Sequence, residues 1–217
     1  MDKKRLTAAG ILAGIVFGAG FVSLLLIPGL GGTSKTTSFT DFYNSSGHRA
    51  TANVLALVLL VGSWLMIWFF TELRGQGAAS VRSDVAYRLS IVGAAAVIVG
   101  TAIELGPLMV QNNSDNGSFV GIPIAHTFAQ AGFGVAASGM VSFALALFLH
   151  GLEFRRAAAV PAWLGVVSLV IAVLLVPGSF FGIGAFLLPV WTIVVGVVAG
   201  RASGTRRFET APPPSTS

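Results

Sequence analysis

The residue types able to do chemistry in this chain are few, and the most conspicuous is a lone carboxylate. Glu104 stands inside "VGTAIELGPLMV", Val99 to Val110, a stretch that is otherwise almost wholly apolar. Around it in kind, though not in sequence, stand Asp41, His48, Arg49, Asn53, His126 and Gln130. Carboxylates with imidazoles are ligands that suit zinc. The spacing does not support that use, because neither H-E-x-x-H nor H-x-x-x-H occurs. No metal ligand and no catalytic residue is therefore assigned. No cofactor is expected either. The chain has no G-x-x-x-x-G-K-[ST] loop, no dinucleotide fingerprint and no G-x-S-x-G elbow. It has no cysteine, which removes thiolate chemistry and disulfides. A transmembrane haem wants histidines paired on facing helices. Here His48 and His126 fall at one rim and His150 at the opposite end.

What places these polar groups together is depth. Glu104 lies 16 residues beyond Arg88, or about 24 Å along a helix rising ~1.5 Å per residue. Gln130 is 20 residues from His150, about 30 Å by the same rise. His126 is one turn further out and stacks on the Gln130 face. Asn53 is 19 residues from Glu72, about 28 Å. Asn53, Glu104, His126 and Gln130 thus reach a similar level on three helices, with His48 and Arg49 just above and Asp41 able to fold in from a loop. A carboxylate is costly in lipid unless it turns inward and finds a partner. The group is expected to be either a structural polar network that sets helix register, or a small outward-facing pocket for a solute, a lipid headgroup or a proton.

The elements that carry these residues are apolar runs. Of the 217 residues, 54% are hydrophobic and 10% charged, and the mean hydropathy is +0.84. Soluble domains carry about 25% charged residues. A transmembrane helix needs about 20 mainly apolar residues. Six runs come near that length, over approximately 6–30, 51–70, 89–110, 122–150, 161–176 and 183–200. The last two are separated by "PGSFFGIG", read as a tight outer hairpin. Continuous rather than alternating runs exclude a membrane β-barrel. The first run is too long for a signal-peptide core and no A-x-A site follows it, so it is read as a retained helix. The fold class is all-α, a six-transmembrane-helix bundle with short loops, occupying 1–200, followed by a disordered tail over 201–217.

Orientation follows from the cations. With the N-terminus in the cytoplasm, only Lys35 and Arg49 of the 13 Lys and Arg lie outside and the other 11 inside. That asymmetry is the positive-inside pattern. Both termini are then cytoplasmic and the lipid bilayer is the obligatory partner. The basic residues form small clusters between apolar runs instead of one face, so the pI of ≈ 10.5 is no sign of nucleic acid. Gly10, Gly14 and Gly18 recur every four residues on one face of the first helix. Such faces let helices approach closely, either inside the bundle or across a homo-oligomer contact. Trp64, Trp68, Trp163 and Trp191 read as interface and packing residues.

At "RRAAAVPAWLGVVSLVIAVLLVPG", Arg155 to Gly178, the chain resembles a pattern common in small multi-pass bacterial membrane proteins, in which a basic inner loop leads through Pro and Trp-Leu-Gly into the penultimate helix. Over its whole length it resembles the six-helix actinobacterial membrane families of unknown function. The resemblance implies a multi-pass architecture and a bacterial plasma membrane, and it carries no functional residues with it. Two classes of function remain: a non-enzymatic membrane component, either accessory or a small binding or transport module, and a membrane-embedded enzyme with an outward-facing His/Glu site.

Overall fold

The computed structural model describes residues 3–26, 45–75, 80–113, 122–156, 160–180 and 183–202. These residues form six α-helices: α1 (Lys3–Leu26), α2 (Ser46–Arg74), α3 (Val81–Asn113), α4 (Ile122–Arg156), α5 (Ala162–Phe180) and α6 (Gly184–Ala202). The all-α expectation holds. Five of the helices are long and apolar enough to cross a membrane, and the sixth, counted over Phe186–Ala202, is a shorter apolar helix.

The helix starts are set by polar side chains, not by where the apolar runs begin. Ser45, in extended backbone, caps α2 by accepting the His48 amide at 3.4 Å. Ser80 does the same for α3, accepting from the Ser83 amide at 3.1 Å. These caps satisfy amides that the first turn leaves without partners. As a result α3 begins at Val81, well before Leu89 where its apolar run starts, and α2 begins at Ser46 instead of Thr51. At the other end of α2 the Gly75 amide closes on the Thr71 carbonyl at 3.2 Å. The hairpin between α5 and α6 is tighter than "PGSFFGIG" implied. Helix α5 runs through Pro177 to Phe180, with the Ser179 hydroxyl donating to the Leu175 carbonyl.

Each helix packs on the next, and α6 returns to α1, so the six close into a ring. Large rings of side chains fill its middle. Phe70 of α2 stacks on Phe143 of α4 (centroids 5.9 Å apart), on His150 of α4 (5.7 Å) and on Trp191 of α6 (6.0 Å). Phe17 of α1 meets Phe143 edge-on at 6.2 Å. Four helices thus share one aromatic core, where each offset or edge-on pair adds roughly 0.5–1.5 kcal/mol beyond its burial. Trp191, 1% exposed, donates its indole N–H to Ser168 Oγ of α5 at 2.8 Å. Ser168 in turn donates to the Leu164 carbonyl at 2.7 Å, so the polar edge of the tryptophan is satisfied inside the core.

The seams between neighbours are made by glycine. Gly10, Gly14 and Gly18 lie against Gly196, Ile193 and Pro189 of α6, so that face of α1 is covered within the chain. The outward faces are the reverse of the core. Leu57, Val61 and Trp64 on α2, Val92 and Val99 on α3, Phe148 on α4 and Val166, Val170 and Val173 on α5 are all exposed. A soluble monomer rarely exposes contiguous apolar surface on this scale. An apolar helical bundle of this kind is suited to a membrane interior.

Candidate functional site

Glu104 is held at the α3–α4 seam. A Cβ built on Gly100 would lie 2.5 Å from the Gly132 carbonyl oxygen, and one built on Gly132 would lie 2.6 Å from the Glu104 amide nitrogen and 2.8 Å from its Cβ. The two backbones are therefore in contact, and Glu104 takes up space that any side chain at 132 would fill. The residue is half-buried. Among the described residues no hydrogen bond or ion pair is made by its carboxylate. Two features around it add polarity. Thr101, about one turn earlier on α3, donates its hydroxyl to the Val97 carbonyl at 2.8 Å. Pro107 sits inside the helix and has no amide to give, which releases the Ile103 carbonyl from the helical ladder.

Asn53 reaches the same level from α2. At the C-terminal end of α2 and the N-terminal end of α3, Arg74 pairs with Asp84 at 2.8 Å and the Thr71 hydroxyl meets the Tyr87 hydroxyl at 3.4 Å. These contacts define an antiparallel register. Equal rise along the two helices then brings Asn53 level with Leu105, next to Glu104. Asn53 is half-buried, and its Oδ1 is buried with no hydrogen-bond partner. Two acceptors, an amide oxygen and a carboxylate, thus stand at one depth on adjacent helices.

The remaining residues of the cluster are arranged less closely. His126 is half-buried on α4 and makes an interaction of its own. It lies 6 residues before Gly132, about 9 Å along α4 from the Glu104 level. Gln130 is exposed, beside the buried Ala129. His48 is exposed and Arg49 half-buried on the first turn of α2, and both are engaged. Asp41 lies outside the described residues. Among the described residues, no three His, Asp or Glu side chains come together in a way that would hold a metal ion.

At the opposite end the structure presents a group that the sequence reading passed over. His150 is 3% exposed, sandwiched between Phe70 and Phe154 at 5.7 and 6.0 Å, and its Nε2 has no partner. Read as a marker of the inner helix end, it is instead part of the core. The signal was present in the spacing: Phe143, Leu147, His150 and Phe154 recur at three and four residues, one continuous buried stripe of α4. The other aromatics divide by exposure, with Trp64 and Trp163 outward and Trp68 bonded to Glu72 through its indole N–H at 3.2 Å.

Compared with family models, curated proteins and solved structures, the chain matches none.

Proposed function

We propose that this chain is a non-enzymatic integral membrane module of six crossings, set in a bacterial plasma membrane with its basic helix ends toward the cytoplasm, and that its outer rim takes up a small cationic solute. The positive-inside asymmetry of the cations supports the orientation. It also makes the Glu104 level the outer one. The stretches between helices, of which 27–44 is the longest, are too short for a folded soluble domain, which favours an activity seated in the bundle over one in those stretches.

The observation that carries the solute reading is the buried, unpartnered Oδ1 of Asn53 level with the half-buried carboxylate of Glu104. A buried acceptor without a donor costs about 1–3 kcal/mol, and a carboxylate within a membrane span costs more unless it is paired. The Asn53 Oδ1 and the Glu104 carboxylate, the two groups at this level without a donor among the described residues, are both acceptors, and a solute that brings donors and positive charge satisfies both. Ammonium and small alkylammonium ions have that chemistry.

The test is thermal stability of the purified protein in detergent, titrated with ammonium or tetramethylammonium chloride against sodium chloride at equal ionic strength. A solute present at 100 times its Kd stabilises by about 2.7 kcal/mol. The wild type should gain a stabilisation specific to one of the organic or ammonium cations. Glu104→Gln and Asn53→Ala should lose it while keeping ligand-free stability within about 1 kcal/mol. A wild type indifferent to every cation, or a Glu104→Gln variant that still responds, would exclude the reading.

A further inference from the structure

We infer that the groove between the inner ends of α1 and α6 is a site for one anionic phospholipid. The groove is open to the surroundings, offers about 540 Å³ of space and is lined by Lys4, Thr7, Ala8, Ile11, Gly200 and Arg201. That volume lies within the range of small-molecule sites, roughly 300–1,000 Å³. It is built in two parts. The floor is apolar or small: Ala8 and Ile11 from α1 and Gly200 from α6. The mouth carries two cations, Lys4 from the first turn of α1 and Arg201 from the last turn of α6, both exposed.

The fold explains why the groove is at this end. One turn further into the bundle, Gly10 and Gly196 bring α1 and α6 into backbone contact, a Cβ on Gly10 falling 2.7 Å from the Gly196 Cα. Thr7 fastens the pair there, its hydroxyl donating to the Gly196 carbonyl at 3.2 Å. Beside that pinch the groove runs along Ala8 and Gly200, one with only a methyl group and the other with no side chain, which leaves the space open. The polar order from the mouth inward is charge, then hydroxyl, then hydrocarbon. A phospholipid has the same order of phosphate, ester and acyl chain. Basic pockets between helices on the cytoplasmic side are suited to acidic headgroups, and cations near that surface each strengthen the attraction. A peptide helix would not fit the same feature, since the groove is confined to two helix ends and covers only about two turns of α1, from Lys4 to Ile11. This inference concerns a different end of the bundle from the Asn53–Glu104 level and shares with the proposed function only the orientation of the bundle.

The experiment is lipid retention by the full chain, purified into micelles doped with equal phosphatidylglycerol and phosphatidylcholine and read by native mass spectrometry. One phosphatidylglycerol should be retained over phosphatidylcholine by on the order of tenfold, the scale expected of two cations at a membrane surface. The double variant Lys4→Gln, Arg201→Gln should bring that ratio close to one. Ala8→Trp, at an exposed position, should fill the groove and lower retention of both lipids. Arg155→Gln with Arg156→Gln, a cation pair elsewhere on the same side, should leave the ratio unchanged. Soluble glycerol 3-phosphate should not displace the lipid. Equal retention by the wild type, or an undiminished ratio in the Lys4→Gln, Arg201→Gln variant, would overturn the assignment. So would displacement by glycerol 3-phosphate, which would reduce the site to a phosphate site. A preference that emerges only when residues 203–217 are removed would make the chain's own tail the occupant and would equally overturn it.

Discussion

Gly132 has no side chain, and the backbone of Glu104 occupies the volume one would fill, 2.6 Å from amide nitrogen to the position of the absent Cβ. Two opposing effects attend Gly132→Ala. Alanine favours the helix by about 1 kcal/mol, while overpacking a tight contact costs typically about 1–3 kcal/mol. The atoms in the way are backbone, which cannot rotate aside, so the second effect should win and melting in detergent should fall. Gly134, two residues on, has nothing within 4 Å of its Cβ position, and Gly134→Ala should be neutral or stabilising by up to about 1 kcal/mol. If the two alanines behaved alike, the seam would not be what holds Glu104. His150 offers a second contrast. Its Nε2 is buried without a partner between two phenylalanines, so His150→Phe removes an unsatisfied polar atom while keeping an aromatic ring. The expected outcome is unchanged or higher thermal stability, and a loss beyond about 1 kcal/mol would reveal a partner for that nitrogen. At this scale the sequence was partly legible. The level shared by Asn53 and Glu104 follows from helical rise alone. The direction each side chain takes does not: Gln130 faces outward although it sits four residues from the half-buried His126, because facing depends on which neighbour a helix meets.

Among the helices, a glycine spacing of four identified one face of α1, and the face is covered by α6. The covering helix was not readable, because small residues serve contacts within a chain and between chains equally well. Gly14→Leu tests the packing. A Cβ at that position already meets Ile193 Cγ1 at 2.5 Å and the Pro189 carbonyl oxygen at 2.7 Å, so the longer side chain should force α6 away. Stability should drop by about 1–3 kcal/mol or more, whereas Ile15→Leu on the exposed side of the same helix should change little. A Gly14→Leu protein that melts like wild type would show that α1 and α6 do not meet along this face. Helix ends were the least legible feature. Hydropathy reports where a bilayer would be, while Ser45 and Ser80 start their helices outside the apolar runs through hydrogen bonds to backbone amides. Pro177 illustrates the opposite error: read as a turn, it is accommodated within the last turns of α5.

Across the whole molecule, the ring order of the helices and its aromatic centre emerge only from side-chain matching among α1, α2, α4 and α6, which no single run displays. Phe70 and Phe143 each touch rings from two other helices, and Trp191, read as one packing residue among four tryptophans, is the one enclosed at the core. Six apolar helices, by contrast, were plain from composition and run length, and five of them are long and apolar enough to cross a bilayer while the last is shorter. The functional reading rests on which end of the ring faces outward, for the Asn53–Glu104 level meets an external solute only if the arginine-rich end is cytoplasmic. The chain has no cysteine, so single cysteines can be introduced against no background. Cysteines at Ser38 and at Ser114, in the stretches that follow α1 and α3, should react with a membrane-impermeant maleimide in intact cells. A cysteine at Ser80, at the start of α3, should react only after the cells are permeabilised. Labelling of the Ser80 position in intact cells, with Ser38 and Ser114 protected, would turn the bundle over and contradict the account.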